Sequence, residues 1–500
     1  MKIKHLLFGI LMAFMALNAT PALAQSTSQA EAQRLQTLFQ TMLEARQAEM
    51  EKNENDRRTL TLEGSVEVEP TESFYAITLP QMKITYPDAR RIDIGMTAIN
   101  ASPSEEAGQF KMTMALPSPI LGFDGNDQEI MRLNIGSQKT AGVWNEELEN
   151  FTKLDALFSD ITMSLDQGTV NVTLPEVRTI YDLEETESQR WSGPVSFELK
   201  GLNAVNSKDS SEINLQSLNI TTILDQFAAQ AFKAESATPE TEKLSPLKMA
   251  NGAEMQMRLN GLEIKGQDKS GAAQDLKFDS LGASFNYSGA MTNTAKAGFS
   301  LGFQGLSSSD TPADIKGILP KSGRLSLKHE NIPISELAKI MQNTESQDAK
   351  VLGLSLLFKV PAILAQAGSY IEIQESFLSN DDYRADLQST LRADITAANS
   401  ATAKGTLRFA GLDKVLSMAQ VAGTRLNSSN YAERMRTLAR FLERLKPMGR
   451  IETAPDGSGF VHVFDLEMNA EGQFLINGQD AKPLLSNQQP KQPALPPAAP

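Results

Sequence analysis

The spacing of apolar residues near the start of the chain is helical. Four of them recur at i, i+3, i+4 and i+7: Leu35, Leu38, Phe39 and Met42. Such a stripe predicts an amphipathic helix, and Ser28 followed by Glu31 is the capping-box pattern that begins one. A charged run over residues 51–58 ends the pattern. We therefore predict an N-terminal amphipathic helix within residues 25–58.

From Leu60 onward the period of the pattern changes to two. Apolar and polar residues alternate in short runs, for example over residues 75–79, 112–114, 161–165 and 170–174. Alternation predicts strands with one buried and one solvated face. Turn residues such as Asp166-Gln167-Gly168 separate these runs without helices between them, which favours an antiparallel sheet.

A short pattern, apolar-x-apolar-x-Gly-Leu, occurs four times. Its glycines are Gly201, Gly261, Gly305 and Gly411. The pattern predicts a half-buried strand that ends at a glycine, which turns or bulges, followed by an apolar residue that returns to the interior. The irregular spacing of the copies excludes a solenoid of fixed period.

Three predicted strands run into stretches with helical spacing. The predicted helices centre on Leu224, Phe227 and Phe232; on Leu337 and Ile340, after Asn331-Ile332-Pro333; and on Val415, Leu416 and Met418. Short helices that follow strands are typical of helices laid over one sheet face. The predicted fold class is therefore α+β: a large, mostly antiparallel β-sheet protein of two related halves, with short helices on one face and an N-terminal helix.

Composition suggests the limits of these parts. Residues 235–248 are polar and contain Pro239 and Pro246, so we expect a linker between β-rich halves at 59–234 and 249–486. Residues 487–500 are mostly proline, glutamine and alanine. Such a segment buries too little apolar surface to fold, and we expect a disordered tail.

Residues 1–24 have the three parts of a secretory signal peptide. Lys2 and Lys4 precede an apolar run over residues 6–17, and Ala22-Leu23-Ala24 is a small-x-small cleavage site. The apolar run is shorter than the roughly 20 residues of a membrane span. We therefore expect cleavage between Ala24 and Gln25, a periplasmic location and no transmembrane anchor.

Composition also excludes several function classes. The chain has no cysteine, which rules out cysteine nucleophiles, thiolate zinc sites and iron–sulfur clusters. Its formal charge is −14, and loss of Lys2 and Lys4 with the signal peptide makes it more negative by two. An acidic chain without a basic stripe is a poor partner for nucleic acid.

No pattern identifies a catalytic, cofactor or metal site. Ser300 lies in a Gly-x-Ser-x-Gly sequence, but alternation runs straight through it, which predicts a mid-strand serine rather than a nucleophile elbow. His329 and His462 are the two histidines outside the signal peptide, and neither has a second ligand at metal-binding spacing. The acidic run at residues 124–129 is typical of a hairpin turn. We predict no catalytic residue, no cofactor and no metal.

Two segments have the strongest apolar character outside the signal peptide. They are residues 351–367 and the helical pattern at 431–445, and from them we select Leu356, Phe358 and Phe441 as candidate contacts to an apolar ligand. The second segment also carries a basic face with Arg434, Arg440 and Arg444. A solvated surface explains such a face, and so does docking on a membrane or a partner.

The C-terminal part resembles a known family. The alternating residues 461–466, followed by Gly472 and Ile476-Asn477-Gly478, resemble the ending of the YdgA-like proteins, a group of Gram-negative envelope proteins without established catalytic residues. The helix entry at Asn331-Ile332-Pro333-Ile334 is similar as well, and the resemblance covers about residues 318–484. Related alphaproteobacterial proteins of unknown function share this exported, β-rich, cysteine-poor composition. The resemblance implies an envelope location and a large sheet, of a kind compatible with the grooved sheets of AsmA-like lipid carriers.

The expected function is non-enzymatic. We expect a periplasmic protein that binds an apolar envelope component such as a lipid, or that supports envelope assembly together with envelope proteins. A secreted hydrolase with a pair of carboxylates is the first alternative. The second is a protein-interaction scaffold that uses edge strands or the basic helix face near Arg440.

Overall fold

The computed structural model describes residues 27–52, 58–186, 189–228, 250–267, 273–309, 311–344, 359–426, 430–454 and 459–485. Its fold is mostly antiparallel β-sheet with a few short helices and an N-terminal helix, which confirms the predicted class. The chain forms two compact units. The first runs to Met291 and includes residues 304–310; the second contains residues 292–303 and the chain from Thr311 onward. The predicted signal peptide with Ala24 and Gln25, the linker at 235–248 and the tail at 487–500 lie outside the described residues.

Short strands make up the N-terminal part of the first unit. They are β1 (Thr59–Glu63), β2 (Glu67–Pro70), β3 (Tyr75–Leu79), β4 (Gln81–Thr85), β5 (Arg91–Ile94), β6 (Thr97–Pro103), β7 (Gln109–Ala115) and β8 (Ile120–Phe123). A series of mostly long strands follows: β9 (Glu129–Asn145), β10 (Asn150–Leu165), β11 (Val170–Asp182), the two-residue β12 (Glu184–Glu185), β13 (Trp191–Asn206), β14 (Ser211–Phe227), β15 (Gly252–Gln267) and β16 (Ala273–Ser288). After β17 (Ala295–Gln304) of the second unit, β18 (Ser307–Ser308) pairs with β16.

The N-terminal helix α1 (Gln29–Lys52) begins where the capping box predicts. The Glu31 N–H donates to Ser28 Oγ at 3.2 Å, whereas the Glu31 carboxylate pairs with Arg34 instead of returning to the cap. The apolar stripe buries Leu35 and Phe39, and Phe39 stacks on Trp144 of β9 with 5.6 Å between ring centroids. The helix is thus held by the core of the first unit, as its periodicity requires.

The long strands form an antiparallel meander. β9, β10, β11, β13, β14, β15 and β16 pair in sequence order. The short strands continue from β9 as two branches, because β9 pairs with β7 near its end and with β8 near its start. One branch and α1 enclose the core cluster around Tyr75 and Trp144; the other encloses the cluster around Ile120 and Met163.

A line of backbone irregularities, which we call the seam, crosses this meander. It consists of four pairs of facing residues: Gly136 with Asp160, Gly201 with Pro175, Gly261 with Gln216, and Gly305, which directly follows β17, with Asp279. A Cβ on any of these glycines would collide with the side chain of the facing residue. Only a glycine leaves room for that side chain. Asp160, Gly201, Gly261 and Gly305 also have positive φ angles. The seam therefore combines close approach with a backbone conformation that favours glycine.

The seam shifts the alternation of every strand by one residue. In β11, Val172 and Leu174 are buried before the seam, and Val177 and Thr179 are buried after it. The shift keeps the apolar side chains on one face along the whole strand, whereas uninterrupted alternation would turn half of them to the other face. Pairing continues across the seam in β13 and β15, so the prediction that these strands end at Gly201 and Gly261 is wrong.

The predicted helix around Leu224, Phe227 and Phe232 is also wrong. Residues up to Phe227 belong to strand β14, and Phe232 lies outside the described residues. In β14 the alternating residues Leu218 and Ile220 continue to Leu224, which faces Ala253 of β15. Cross-strand partners on both sides therefore outweigh the weak helical spacing. β14 and β15 flank residues 235–248 and pair with each other, so the first unit continues to Met291.

The second unit is a smaller meander with helices on it. Its strands are β17, β19 (Ser322–Ile332), β20 (Tyr370–Ser379), β21 (Arg384–Ala393), β22 (Ala401–Ala410), β23 (Arg450–Thr453), β24 (Phe460–Met468), β25 (Phe474–Ile476) and β26 (Gln479–Asp480). Its helices are α2 (Ala313–Lys316), α3 (Ile334–Thr344), α4 (Leu412–Arg425), α5 (Asn430–Leu445), a 3₁₀ turn (Lys446–Met448) and α6 (Lys482–Leu485). Residues 359–366 are also helical. The helices predicted after Asn331-Ile332-Pro333 and after Gly411 are confirmed as α3 and α4.

The core of the second unit lies between α4, α5 and one face of β22 and β24. Leu412 and Ala419 of α4, Leu442 of α5 and Phe464 of β24 are buried there. Asn477, in the left-handed region, forms with Gly478 the two-residue turn between β25 and β26. Its side-chain amide donates to the carbonyls of Met448 and Val463 at 2.7 and 3.0 Å, which fixes this turn to the core.

Candidate apolar binding surfaces

The face of β14–β16 that carries the apolar side chains is open. Four large apolar side chains on it are 37–44% exposed: Ile213, Met255, Ile264 and Phe285. Between them lie partly buried Leu218, Ile220, Met257, Leu259, Leu262, Leu276, Phe278 and Leu281. None of these residues belongs to a core cluster of the described chain. We call this set the first apolar surface.

Strand register assembles this surface. Ile213 faces Ile264, which faces Leu276; Thr222 faces Met255, which faces Phe285. The two groups lie on opposite sides of the seam, and the shift at Gly261 brings them to the same face. Neighbouring β13 supports this placement, because Leu199 and Leu202, which flank Gly201, both pack against the same core cluster.

The opposite face of the same strands is polar. Lys265 Nζ lies 3.0 Å from the carboxylate of Glu212, and Lys277 Nζ lies 2.6 Å from that of Glu263. The Asn260 amide donates to Ser217 Oγ at 2.9 Å. The three strands therefore form an amphipathic sheet with one solvated polar face and one apolar face.

The first apolar surface differs from the rest of the same face in how far other elements bury its side chains. Over β9–β11 the apolar side chains are buried against α1 and the short strands, as Leu154 and Leu165 illustrate. Over β14–β16 the equivalent side chains are a third or more exposed at four positions. The open surface thus continues the face that carries the core, but its side chains stay partly exposed.

The second unit has a surface of the same kind. Phe299, Leu301, Leu325, Leu378 and Leu391 are 38–50% exposed. In the register Phe299 faces Leu327 and Leu301 faces Leu325. A Cβ on Gly323 would lie 2.6 Å from Leu378 and 2.8 Å from Phe303, so both side chains extend over this glycine. We call this set the second apolar surface.

Helices α4 and α5 cover one end of that face. Leu407 and Phe409 of β22 pack against the core formed with α4 and α5, whereas Leu378 and Leu391 lie outside it. Leu407 faces Leu387 and Phe409 faces Ala385 in the register of β21 and β22, so the covered and open parts are one continuous face.

The predicted ligand contacts lie elsewhere. Phe441 is 43% exposed on α5, at the edge of the side that packs Leu442 and Leu445 into the core. Leu356 and Phe358 lie outside the described residues. No sequence prediction covers the two apolar surfaces, although the sequence contains a signal for the first. The apolar positions of β15 change from odd numbers, such as Met257 and Leu259, to even numbers, Leu262 and Ile264, across the repeated glycine.

A serine and a histidine in the second unit come close together. His329 Nε2 lies 2.8 Å from Ser369 Oγ, and burial lowers the pKa of His329. Ser369 is only 3% exposed, and its hydroxyl also donates to the Glu330 carbonyl at 3.3 Å. A nucleophile must reach its substrate, so this contact is a packing feature that joins β19 to the start of β20.

Other positions with possible chemistry are structural as well. Ser300 lies in the middle of β17, opposite Ser326, as predicted. Asp124 Oδ1 accepts the N–H groups of Gln128 at 2.9 Å and Asn126 at 2.8 Å, and these bonds lower the pKa of Asp124. His462 is buried and stacks on Phe464. Within the described ranges, no three histidine or carboxylate side chains are grouped to hold a metal ion.

A polar depression of about 830 Å³ lies on the other face of the second sheet. Its carboxylates include Glu372, Glu375, Asp465 and Glu467. Asp465 forms an ion pair with Arg450, and Glu467 lies 3.6 Å from Lys404. Paired carboxylates of this kind are typical of a solvated sheet face.

No helix among the described residues is both long and apolar enough to cross a membrane. No protein-family model matches the sequence, and a search of curated proteins finds no significant match.

Proposed function

We propose that the chain is exported to the periplasm and binds acyl chains of envelope lipids on its apolar surfaces. The observation that carries this proposal is the one-sided apolar face of β14–β16, whose four largest exposed side chains are 37–44% exposed. Three strands about 4.8 Å apart and about 50 Å long span a sheet area of roughly 700 Å², and the apolar face is one side of it. Monomeric proteins rarely leave more than a few hundred Å² of contiguous apolar surface open, and larger patches mark binding sites.

An acyl chain suits this surface because the surface is long, narrow and uncharged. The charged residues of β15, such as Glu254, Arg258 and Lys265, alternate onto the opposite face. Burial of each methylene contributes about 0.8 kcal/mol, so ten methylenes contribute about 8 kcal/mol before the cost of immobilising the chain. Met255 and Met257 are flexible side chains that adapt to an irregular ligand.

The signal-peptide pattern supports an envelope location, where lipids are present as ligands. Lys2, Lys4 and the site at Ala24 have the order that export requires. The hydrolase alternative has no comparable support. Two carboxylates of the polar depression, Asp465 and Glu467, are paired with the cations of Arg450 and Lys404.

Two isoleucines of the same strand provide a matched test. Ile213 lies on the first apolar surface and is 41% exposed; Ile223 is 46% exposed on the opposite face of β14, opposite Glu254. Replacement by asparagine removes a similar side chain from either face. Loss of one isoleucine contact of about 1–1.5 kcal/mol corresponds to a five- to tenfold weaker affinity.

The measurement is a titration of the purified protein with a fluorescent fatty acid. We expect saturable binding by the wild type, five- to tenfold weaker binding by Ile213→Asn and unchanged binding by Ile223→Asn. Equal effects of the two variants, or no saturable binding by the wild type, would contradict the proposal. Native mass spectrometry of protein purified from its own envelope should also detect a lipid-sized adduct.

A further inference from the structure

The exposed side of helix α5 carries two arginines and an exposed aromatic ring. Arg434 and Arg440 are exposed, and so is Phe441, at 43%. We call these three residues the arginine face; Arg436 lies instead beside Gly423 of α4. The inner side of the same helix packs Leu442 into the core of the second unit. The arginine face therefore lies on a helix that is packed onto the core of the second unit.

The arginines of this face differ from most others in the chain. Arg384 and Arg450, for example, form ion pairs with Asp386 and Asp465. In contrast, the Nε of Arg440 donates to the Arg436 carbonyl at 3.3 Å. Among the described residues, neither arginine of the face forms an ion pair with a carboxylate.

α5 contains four arginines and two glutamates, so the acids of the helix offset its positive charge only in part. Glu433 lies in the first turn of the helix, and Glu443 accepts a hydrogen bond from the Gln420 amide of α4 at 2.6 Å. Lys446, just after the helix, is paired with Asp413. In a chain with a formal charge of −14, the arginine face is therefore a local cationic patch.

We propose that the arginine face docks the protein on an anionic phospholipid bilayer. The guanidinium groups would contact lipid phosphates, to which their planar donors are matched, and Phe441 would enter the interface between headgroups and acyl chains. Charge complementarity selects this occupant, and a convex helix with basic and aromatic residues is the form in which proteins lie on membrane surfaces. This inference goes beyond the proposed function. That function concerns single acyl chains bound on the sheets, whereas this inference concerns attachment of the protein to a bilayer surface.

Vesicle sedimentation with the full exported chain tests the docking. We expect binding to vesicles of phosphatidylcholine mixed with phosphatidylglycerol, little binding to phosphatidylcholine alone, and weaker binding as salt is raised. A basic residue near an anionic surface contributes about a fivefold gain in affinity. The double variant Arg434→Glu/Arg440→Glu should therefore bind at least about 25-fold more weakly.

The matched control is Arg324→Glu/Arg384→Glu. These arginines are 47% and 51% exposed in the same unit and are paired with Glu375 and Asp386, so their reversal changes the net charge equally without touching the face. Phe441→Ala should weaken vesicle binding, whereas Phe460→Ala, at a ring that is 74% exposed on β24, should not.

Three results would overturn the docking: no preference of the wild type for phosphatidylglycerol, equal losses in the two double variants, or full binding by Arg434→Glu/Arg440→Glu. Thermal melts of each variant exclude misfolding as the cause of a loss. Fatty-acid affinity in solution should be the same for Arg434→Glu/Arg440→Glu and wild type. Failure of the docking is therefore distinguishable from failure of lipid binding by the sheets.

Discussion

Replacement of Gly261 by alanine tests whether the seam holds the two parts of the first apolar surface on one face. Gly261 has a φ of +60°, and a Cβ there would overlap the side chain of Gln216. An L-residue in the left-handed region costs about 1–2 kcal/mol. Gln216 is exposed and flexible, so it can move away and adds little to this cost. We expect Gly261→Ala to lose about 1–2 kcal/mol of unfolding free energy.

The same strand supplies the control. Gly266 has no positive φ, and no atom lies within 4 Å of the place that a Cβ would take there. Alanine at this position reduces the freedom of the unfolded chain and should stabilise the protein by about 0.4–1 kcal/mol. The two variants should thus differ by about 1.5–3 kcal/mol, although each adds one methyl group to β15.

Urea denaturation followed by tryptophan fluorescence measures the difference. The chain has two tryptophans, Trp144 and Trp191, and both belong to the first unit, so the signal reports unfolding of that unit. If Gly261→Ala is as stable as wild type, or if Gly266→Ala loses as much as Gly261→Ala, the seam does not impose a left-handed backbone at Gly261 and cannot be what aligns the two parts of the surface.

Two further predictions concern the cores. Leu35 is fully buried beside Phe39 in the core of the first unit, so Leu35→Ala should lose about 2–5 kcal/mol, more than Leu38→Ala at a half-buried position, in the same urea assay. The Tyr383 hydroxyl donates to the Ile318 carbonyl at 2.8 Å, and burial raises the pKa of Tyr383 from 10 to about 12. The folded state therefore keeps the proton longer than the unfolded state, so this contribution to stability is present below pH 10 and is lost as pH rises through about 12. Tyr383→Phe should flatten that alkaline decline in a series of thermal melts, and an unchanged slope would contradict the assignment.

The sequence predicted the local structure well where one pattern dominated. The capping box at Ser28 and the stripe at Leu35 predicted α1, and alternation predicted most strands. These features depend on residues close together in the chain. The helix predicted around Leu224 failed because its partners, such as Ala253, are distant in sequence and extend the sheet.

The candidate site was harder to predict because it depends on which faces are covered. Helical spacing identified Phe441 as apolar and part of a helix, but the neighbours of α5 decide that this ring points outward. Alternation in β15 predicts one apolar face. The same alternation would be found whether that face is covered or open. The glycine repeat came closest, since Gly201, Gly261 and Gly305 all lie on the seam.

The seam connects the core of the first unit with the surface proposed to bind acyl chains. In β10 and β11 it keeps Leu154 and Leu174 on the face that α1 and the short strands cover, where their burial stabilises the fold. In β15 it keeps Met255 and Ile264 on the face that stays open, which is the surface proposed to bind acyl chains. One backbone device therefore aligns apolar side chains into a core at one end of the meander and into the proposed binding surface at the other. Among the described residues, the two ends differ in whether α1 and the short strands pack on that face.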